Sequence, residues 1–122
     1  MSTIETMQAE QILTIRMEAR EAAYKAADKF FKEELGGVDQ LSCGFAWMTL
    51  RLPCGGTIKG NTKLGRQLKK AGICQNYYKT FEVWNPSGYP CQNVDTLLEG
   101  ARAAAAVFSN YGFKAGAGSR LD

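Results

Sequence analysis

The chain has 122 residues, of which 45% are hydrophobic and 22% charged, and its formal net charge is +3. This composition is that of an ordinary globular protein, and the length predicts a single domain over residues 1–122. No apolar run reaches the length of a transmembrane helix, so we expect no membrane span. The polar start, which soon carries Glu5, lacks the pattern of a signal peptide, and we expect a cytoplasmic protein.

The histidine and cysteine content limits the chemistry of the chain. There is no histidine, which excludes Ser-His-Asp and Cys-His catalysis within one chain. The four cysteines are Cys43, Cys54, Cys74 and Cys91. They lack C-x-x-C spacing, so we expect reduced thiols, with neither a metal site nor a disulfide. No cofactor is expected.

The first segment, residues 1–37, predicts one long helix. Ser2 and Glu5 form a capping-box pattern. Small and apolar residues then recur along one helical face, at Ile12, Ile15, Ala19, Ala22, Ala26 and Phe30. A helix from about Thr3 to Leu35 would be roughly 50 Å long, which exceeds the radius of so small a protein. We therefore expect its projecting end either to fray or to pack on a second copy in a homo-oligomer.

The second segment, residues 40–122, predicts a compact α/β core. Residues 43–52, "CGFAWMTLRL", predict a strand covered on both faces, because both alternating faces are mostly apolar. Residues 79–84 predict a second strand and residues 113–122 a third, and Asn93 is predicted to cap the last helix. Because helices separate the strands, we expect parallel pairing. The predicted fold is α/β, with a small three- or four-stranded sheet, the long N-terminal helix and further helices packed on it.

Positive charge is concentrated in the middle of the chain. Between Gln40 and Phe81 there are seven lysine or arginine residues and no acidic residue. A short helix beginning near Asn61 or Thr62 and ending before Gly72 would bury its leucines. It would expose a row of cations spaced by four, three and four positions: Lys59, Lys63, Arg66 and Lys70. Such a row is suited to holding phosphates, although it is equally typical of a solvated helix face.

A loop near this stretch is the second candidate site. The segment "WNPSGYPCQN" follows a predicted strand and leads into a helix N-terminus, a position at which ligands bind in open α/β sheets. Aromatic residues lie around it and could either stack on bases or belong to the core: Tyr77, Tyr78, Trp84 and Tyr89. We assign the ligand loop to Trp84, Asn85, Gln92 and Asn93.

Three stretches, "CGFAWMTL", "WNPSGYPCQNVD" and the terminal "GSRLD", resemble segments of short, mostly uncharacterised proteins of tailed bacteriophages. The resemblance covers roughly residues 40–122 and carries no assigned activity. It implies an accessory protein for host takeover or anti-defence, made in the bacterial cytoplasm, and it favours binding over catalysis.

Three classes of function remain open. The first is a non-enzymatic protein that holds a phosphate-bearing partner, nucleic acid or nucleotide, through the basic helix and the loop. The second is an inhibitor that docks the same cations on an acidic host protein. The third is a small carboxylate-dependent enzyme using Asp95, Glu99 or Asp122 with a nearby lysine or tyrosine. An acid in the first turn of a helix is normally a capping feature, so the sequence favours binding.

Overall fold

The computed structural model describes residues 4–122, which form three α-helices, one 3-10 turn and a four-stranded sheet. The elements are a 3-10 turn (Ile4–Thr6), α1 (Ala9–Glu34), β1 (Gly44–Arg51), α2 (Lys63–Lys70), β2 (Cys74–Gln75), β3 (Phe81–Trp84), α3 (Val94–Asn110) and β4 (Lys114–Leu121). The predicted α/β fold, a small sheet with a long N-terminal helix and further helices packed on it, is confirmed. Over this range no helix combines the length and the apolar character needed to cross a bilayer.

The N-terminal helix is interrupted, whereas the sequence predicted a continuous one. The 3-10 turn at Ile4–Thr6 precedes α1, and Ile4 and Met7 are both buried in the core. The segment therefore folds back instead of extending the helix. α1 has 26 residues, which corresponds to about 39 Å. The overlength that motivated the predicted homo-oligomer is reduced, and the oligomer stays a prediction. The predicted cap at Ser2 and start at Thr3 lie outside the described residues.

α1 packs against α3 through small side chains. Its buried positions are Ile12, Ile15, Ala19, Ala23 and Ala27. The predicted face was off by one residue in its second half, since Ala22, Ala26 and Phe30 are only half-buried. Adjacent alanine pairs make the two registers nearly equivalent in sequence. The choice is made by α3, where a Cβ added at Gly100 would lie 3.2 Å from the carbonyl oxygen of Ala23.

The strands pair antiparallel in the order β2-β3-β1-β4, so the predicted parallel pairing is wrong. α2 connects β1 to β2, and α3 connects β3 to β4. In each case the two strands run in the same direction, but a third strand lies between them: β3 in the first case and β1 in the second. The crossovers are therefore interleaved, as in a split β-α-β arrangement.

β1 is covered on one face only, which corrects the predicted burial of both faces. Ala46, Met48 and Leu50 are buried. Residues of all three helices join Met48 and Leu50 in one core cluster, so the helices pack on the same side of the sheet. On the other side Phe45 is 40% exposed and Trp47 is half-buried. The apolar residues of this second face consequently form a surface.

Candidate functional site

Three aromatic rings form a cluster on the uncovered face of the sheet. Side chains alternate along a strand, so Phe45 and Trp47 of β1 point to the same side. The β1–β3 register pairs Trp47 with Trp84, which brings the indoles together with ring centroids 5.4 Å apart. The Phe45 ring meets Trp84 edge-on at 5.9 Å. Trp84 is 50% exposed. We call Phe45, Trp47 and Trp84 the aromatic cluster.

Gly118 of β4 makes room for the Trp47 ring of this cluster. The β1–β4 register places Gly118 opposite Trp47 and Gly116 opposite Thr49. A Cβ added at Gly118 would lie 2.8 Å from three atoms of the Trp47 indole. The Trp47 indole therefore packs directly on the backbone of Gly118. A residue with a side chain at position 118 would prevent this contact. The sequence predicted this last strand from its weak alternation, but the role of Gly118 depends on its partner across the ladder.

Three unpaired cations lie on the same face of the sheet as the aromatic cluster. Arg51 and Lys114 face each other across β1 and β4, and the Arg120 guanidinium lies 5.6 Å from the centroid of the Phe45 ring. Among residues 4–122, none of these three cations is in an ion pair. Glu82 is the one acidic residue within the four strands. Its oxygens accept hydrogen bonds from Trp84 Nε1 (2.9 Å) and Asn76 Nδ2 (3.1 Å).

The basic helix α2 lies on the other side of the sheet. Thr62 caps it by accepting a hydrogen bond from the backbone N–H of Gly65, as the predicted start at Asn61 or Thr62 requires. Leu64 and Leu68 are buried in the core with the covered face of β1, which confirms the predicted apolar stripe. The predicted cations are all exposed: Lys59, Lys63, Arg66 and Lys70. Their row faces away from the core and is separated from the aromatic cluster by the sheet.

Two lysines outside the predicted row share a hollow with Lys59. Lys69 and Lys79 line this hollow, whose volume is about 330 Å³, together with Gln75 and the backbone at Gly60. Lys79 lies nine residues beyond the end of α2, on the connection between β2 and β3, which brings it to this hollow. Spacing within the basic stretch therefore could not have placed it there.

The predicted ligand loop divides into an accessible half and a structural half. Trp84 and Asn85 line a cleft beside α1, and Asn85 has a φ of 41°. Asn93 is fully buried, with its side chain accepting from Thr96 N (2.8 Å) and donating to Gln40 O (2.9 Å). The structure thus assigns Asn93 to the cap of α3 instead of to a ligand site, because both ends of its amide are already engaged.

Gln92 lies between these two halves and is tied to the preceding loop. Its backbone N–H donates to the carboxylate of Asp39 at 2.9 Å. Its side-chain oxygen accepts a weak hydrogen bond from the Cys43 thiol at 3.6 Å. Gln92 remains exposed, so its predicted role as a ligand contact stays a prediction.

The tyrosines around the loop have different environments. Tyr89 is buried between Tyr24 and Phe31, and its hydroxyl donates to Asp28 Oδ1 at 2.7 Å. Burial, together with the hydrogen bond to Asp28, raises the pKa of Tyr89 to about 12. Tyr77 and Tyr78, in contrast, are 89% and 80% exposed. Tyr89 therefore anchors the loop to α1, whereas the other two are available to a partner.

Two of the candidate catalytic carboxylates lie on α3, and the third follows β4. Glu99 forms an ion pair with Arg102 at 2.9 Å on the surface of α3, and Asp95 is exposed in the first turn of that helix. Asp122 follows β4, where its backbone N–H donates to Cys43 O. From residue 4 onward, no group of three Cys, Asp or Glu residues is arranged to hold a metal ion.

Native protein is expected to present three fast thiols and one slow thiol to a thiol reagent. Cys43, Cys54 and Cys74 are exposed, while Cys91 is half-buried and burial raises the pKa of its thiol. Because the thiolate is the reacting species, Cys91 reacts more slowly. Titration with dithionitrobenzoate before and after unfolding measures both, and Cys91→Ser should remove only the slow phase. An unfolded count below four would contradict free thiols at all four positions.

Comparisons of the chain with protein-family models, with curated proteins and with solved structures found no match.

Proposed function

We propose that this chain is a non-enzymatic protein that binds single-stranded nucleic acid on the open face of its sheet. The observation that carries the proposal is the aromatic cluster, which is exposed on an uncovered antiparallel sheet and bordered by unpaired cations. The proposal keeps the phosphate-bearing partner expected from the sequence. Trp84 belongs both to the predicted ligand loop and to the aromatic cluster. It moves the main contact from α2 to the sheet.

The chemistry of the face suits unpaired bases. Every base has a flat π-face that stacks on an aromatic ring, and such stacking contributes about 1–3 kcal/mol per base. Arg51, Lys114 and Arg120 lie where they could contact the phosphates of a strand that crosses the cluster. A duplex keeps its bases stacked inside, so it could use only the cations. We therefore expect a clear preference for single strands.

The architecture offers an analogy for this mode of binding. RNA-recognition modules present aromatic residues from a four-stranded sheet to two or three bases. Here the aromatic cluster occupies β1 and β3, the two central strands of a four-stranded sheet. The likeness is one of architecture, and the proposal rests on the residues of the face. The bacteriophage setting stays a prediction from the resemblance noted above.

Intrinsic fluorescence gives a direct test, because the two tryptophans of the chain, Trp47 and Trp84, both belong to the cluster. Addition of a mixed-sequence single strand, DNA or RNA, should quench their emission saturably, and a duplex of equal length should not. Three phosphate contacts predict a log–log salt slope of about −2. Saturable binding of the duplex with no quenching by single strands would overturn the proposal.

Reversing two charges on α2, Lys63→Glu with Arg66→Glu, distinguishes binding on the sheet from binding on the basic helix. Both residues are exposed, so the free energy of unfolding should change by about 1 kcal/mol or less. We expect single-strand binding to persist, weakened mainly at low salt where long-range attraction acts. A matched control reverses Lys25 and Lys29 on α1. Complete loss of binding in the α2 variant alone would place the partner on α2.

The acidic-protein alternative gives a different result in the same assays. A partner protein held by the exposed cations of α2 would be lost on charge reversal, while nucleic acid would show no saturable binding to either form. Size-exclusion chromatography with the captured partner would then report the loss directly. This outcome would support docking on an acidic protein over the nucleic-acid proposal.

A further inference from the structure

A cleft of about 420 Å³ opens between α1 and the turn that follows β3. Its floor is apolar and includes the buried side chains of Met48 and Phe108. Leu13 and Met17 of α1 form one wall, and both are exposed to solvent, Met17 by 72%. The cleft lies on the helical side of the sheet, so it is separate from the aromatic cluster except at Trp84, which borders both.

Two arginines supply the charge of this cleft. Arg16 and Arg20 line it, and no acidic residue does. Arg16 donates one hydrogen bond, to Ala71 O at 2.9 Å, which holds its guanidinium in place and leaves its other N–H groups available. The Arg20 guanidinium lies over Gly88, where an added Cβ would be 3.4 Å from Nη2. Within the described part of the chain, Arg20 has no hydrogen-bond or ion-pair partner.

The nearby carboxylates of α1 are engaged elsewhere. Glu21 forms an ion pair with Lys25 at 3.1 Å, and Glu18 accepts a hydrogen bond from the Tyr111 hydroxyl at 2.7 Å. The two guanidiniums therefore lie beside an apolar floor without an internal counter-ion. Arginine recognises carboxylate and phosphate groups through paired N–H donors.

We propose that this cleft binds a small organic anion with a flat apolar body, its carboxylate or phosphate held by Arg16 and Arg20. The volume lies within the usual range of small-ligand sites, about 300–1,000 Å³. An apolar floor with a few polar groups at the rim is the usual composition of such sites. The site shares only Trp84 with the aromatic cluster, because neither Phe45 nor Trp47 lines it.

Two dyes that differ in one charged group test the proposal. Anilinonaphthalene sulfonate has a flat apolar body with an anionic group, and phenylnaphthylamine is its neutral counterpart. The Arg20→Gln variant should weaken sulfonate binding about tenfold, the effect of one charge-assisted hydrogen bond, and leave the neutral dye unchanged. Met17→Ala should weaken both dyes, because it removes part of the apolar wall. Equal affinity of parent and Arg20→Gln for the sulfonate would overturn the proposal.

Two further variants locate the dye and keep the outcome independent of the sheet. Lys29→Gln removes one charge from α1 outside the cleft and should have no effect on either dye. Phe45→Ala should leave the sulfonate bound, even if it abolishes nucleic-acid binding. If Lys29→Gln lost as much affinity for the sulfonate dye as Arg20→Gln, net charge alone would explain the binding. The cleft would then be ruled out as the binding site.

Competition then identifies the anionic group. Adenosine monophosphate carries a phosphate, and indole acetate carries a carboxylate on a flat body. Displacement of the sulfonate dye by either supports the site and tells which group it prefers. Displacement by neither, at concentrations that saturate an ordinary small-molecule site, would overturn the ligand class.

Discussion

Replacing Phe45 and Trp84 together by alanine is expected to lower the affinity for single strands about thirtyfold or more. Each ring offers a stacking surface to one base, and stacking contributes about 1–3 kcal/mol per base. Both rings are substantially exposed, 40% and 50%, so the fold should tolerate their loss. The lost hydrogen bond of the Trp84 indole N–H to Glu82 is expected to cost about 1 kcal/mol, and the lost ring contact with Trp47 adds to this cost. Anisotropy of a labelled oligonucleotide measures the affinity.

A matched pair of exposed aromatic residues controls for this change. Tyr77 and Tyr78 lie outside the aromatic cluster, on the connection between β2 and β3. Their rings contact each other at 5.3 Å. Replacing both by alanine should leave most of the affinity intact. If this control lost the affinity and the Phe45/Trp84 variant kept it, the binding surface would be the β2–β3 connection and the proposed site would be wrong.

Asn93→Ala is expected to destabilise the protein by about 2–4 kcal/mol. The amide of Asn93 accepts hydrogen bonds from both the backbone N–H and the hydroxyl of Thr96, and donates one to Gln40 O. Loss of an N-cap costs about 0.5–2 kcal/mol, and a buried group left without its partner costs about 1–3 kcal/mol more. Urea unfolding followed by circular dichroism should show a lower midpoint with an unchanged slope.

Gln92→Ala is the control for Asn93, since it changes the neighbouring residue of the same loop. Gln92 is exposed, and its backbone hydrogen bond to Asp39 survives the substitution. The free energy of unfolding of the Gln92→Ala variant should differ from that of the parent by about 0.5 kcal/mol or less. Below the unfolding transition, Asn93→Ala should bind single strands as the parent does. Equal stability of parent and Asn93→Ala, or lost binding in its folded form, would contradict a purely structural role for this side chain.

Local signals in the sequence were sufficient for the starts of α2 and α3 and for the end of α1. Thr62 and Asn93 are caps because their side chains reach backbone N–H groups within three residues, a relation that does not depend on the rest of the fold. The amphipathic pattern of α2 was equally local, since its two leucines share one face at four-residue spacing. Gly36 stops α1 with a φ of 65°, a conformation that glycine adopts readily.

The tertiary structure alone decided which face of the sheet became a surface. Alternation shows that Phe45 and Trp47 share a side of β1, but it does not show whether another layer covers that side. The helices cover the opposite side because their apolar faces meet Met48 and Leu50 there. An uncovered aromatic face therefore resembles a buried strand in sequence, which is why burial of both faces was predicted.

The candidate sites also depend on contacts between residues that are distant in sequence. Trp47 meets Trp84 through strand pairing, and Gly118 makes room for its indole from a third strand. Arg20 approaches Gly88 because α1 packs beside the turn after β3. By itself, the sequence determined the caps of α2 and α3, the apolar stripe of α2 and the excess of positive charge, because each depends on neighbours along the chain. Pairing order and layer packing determined the sites, because these join segments whose separation in sequence carries no local signal.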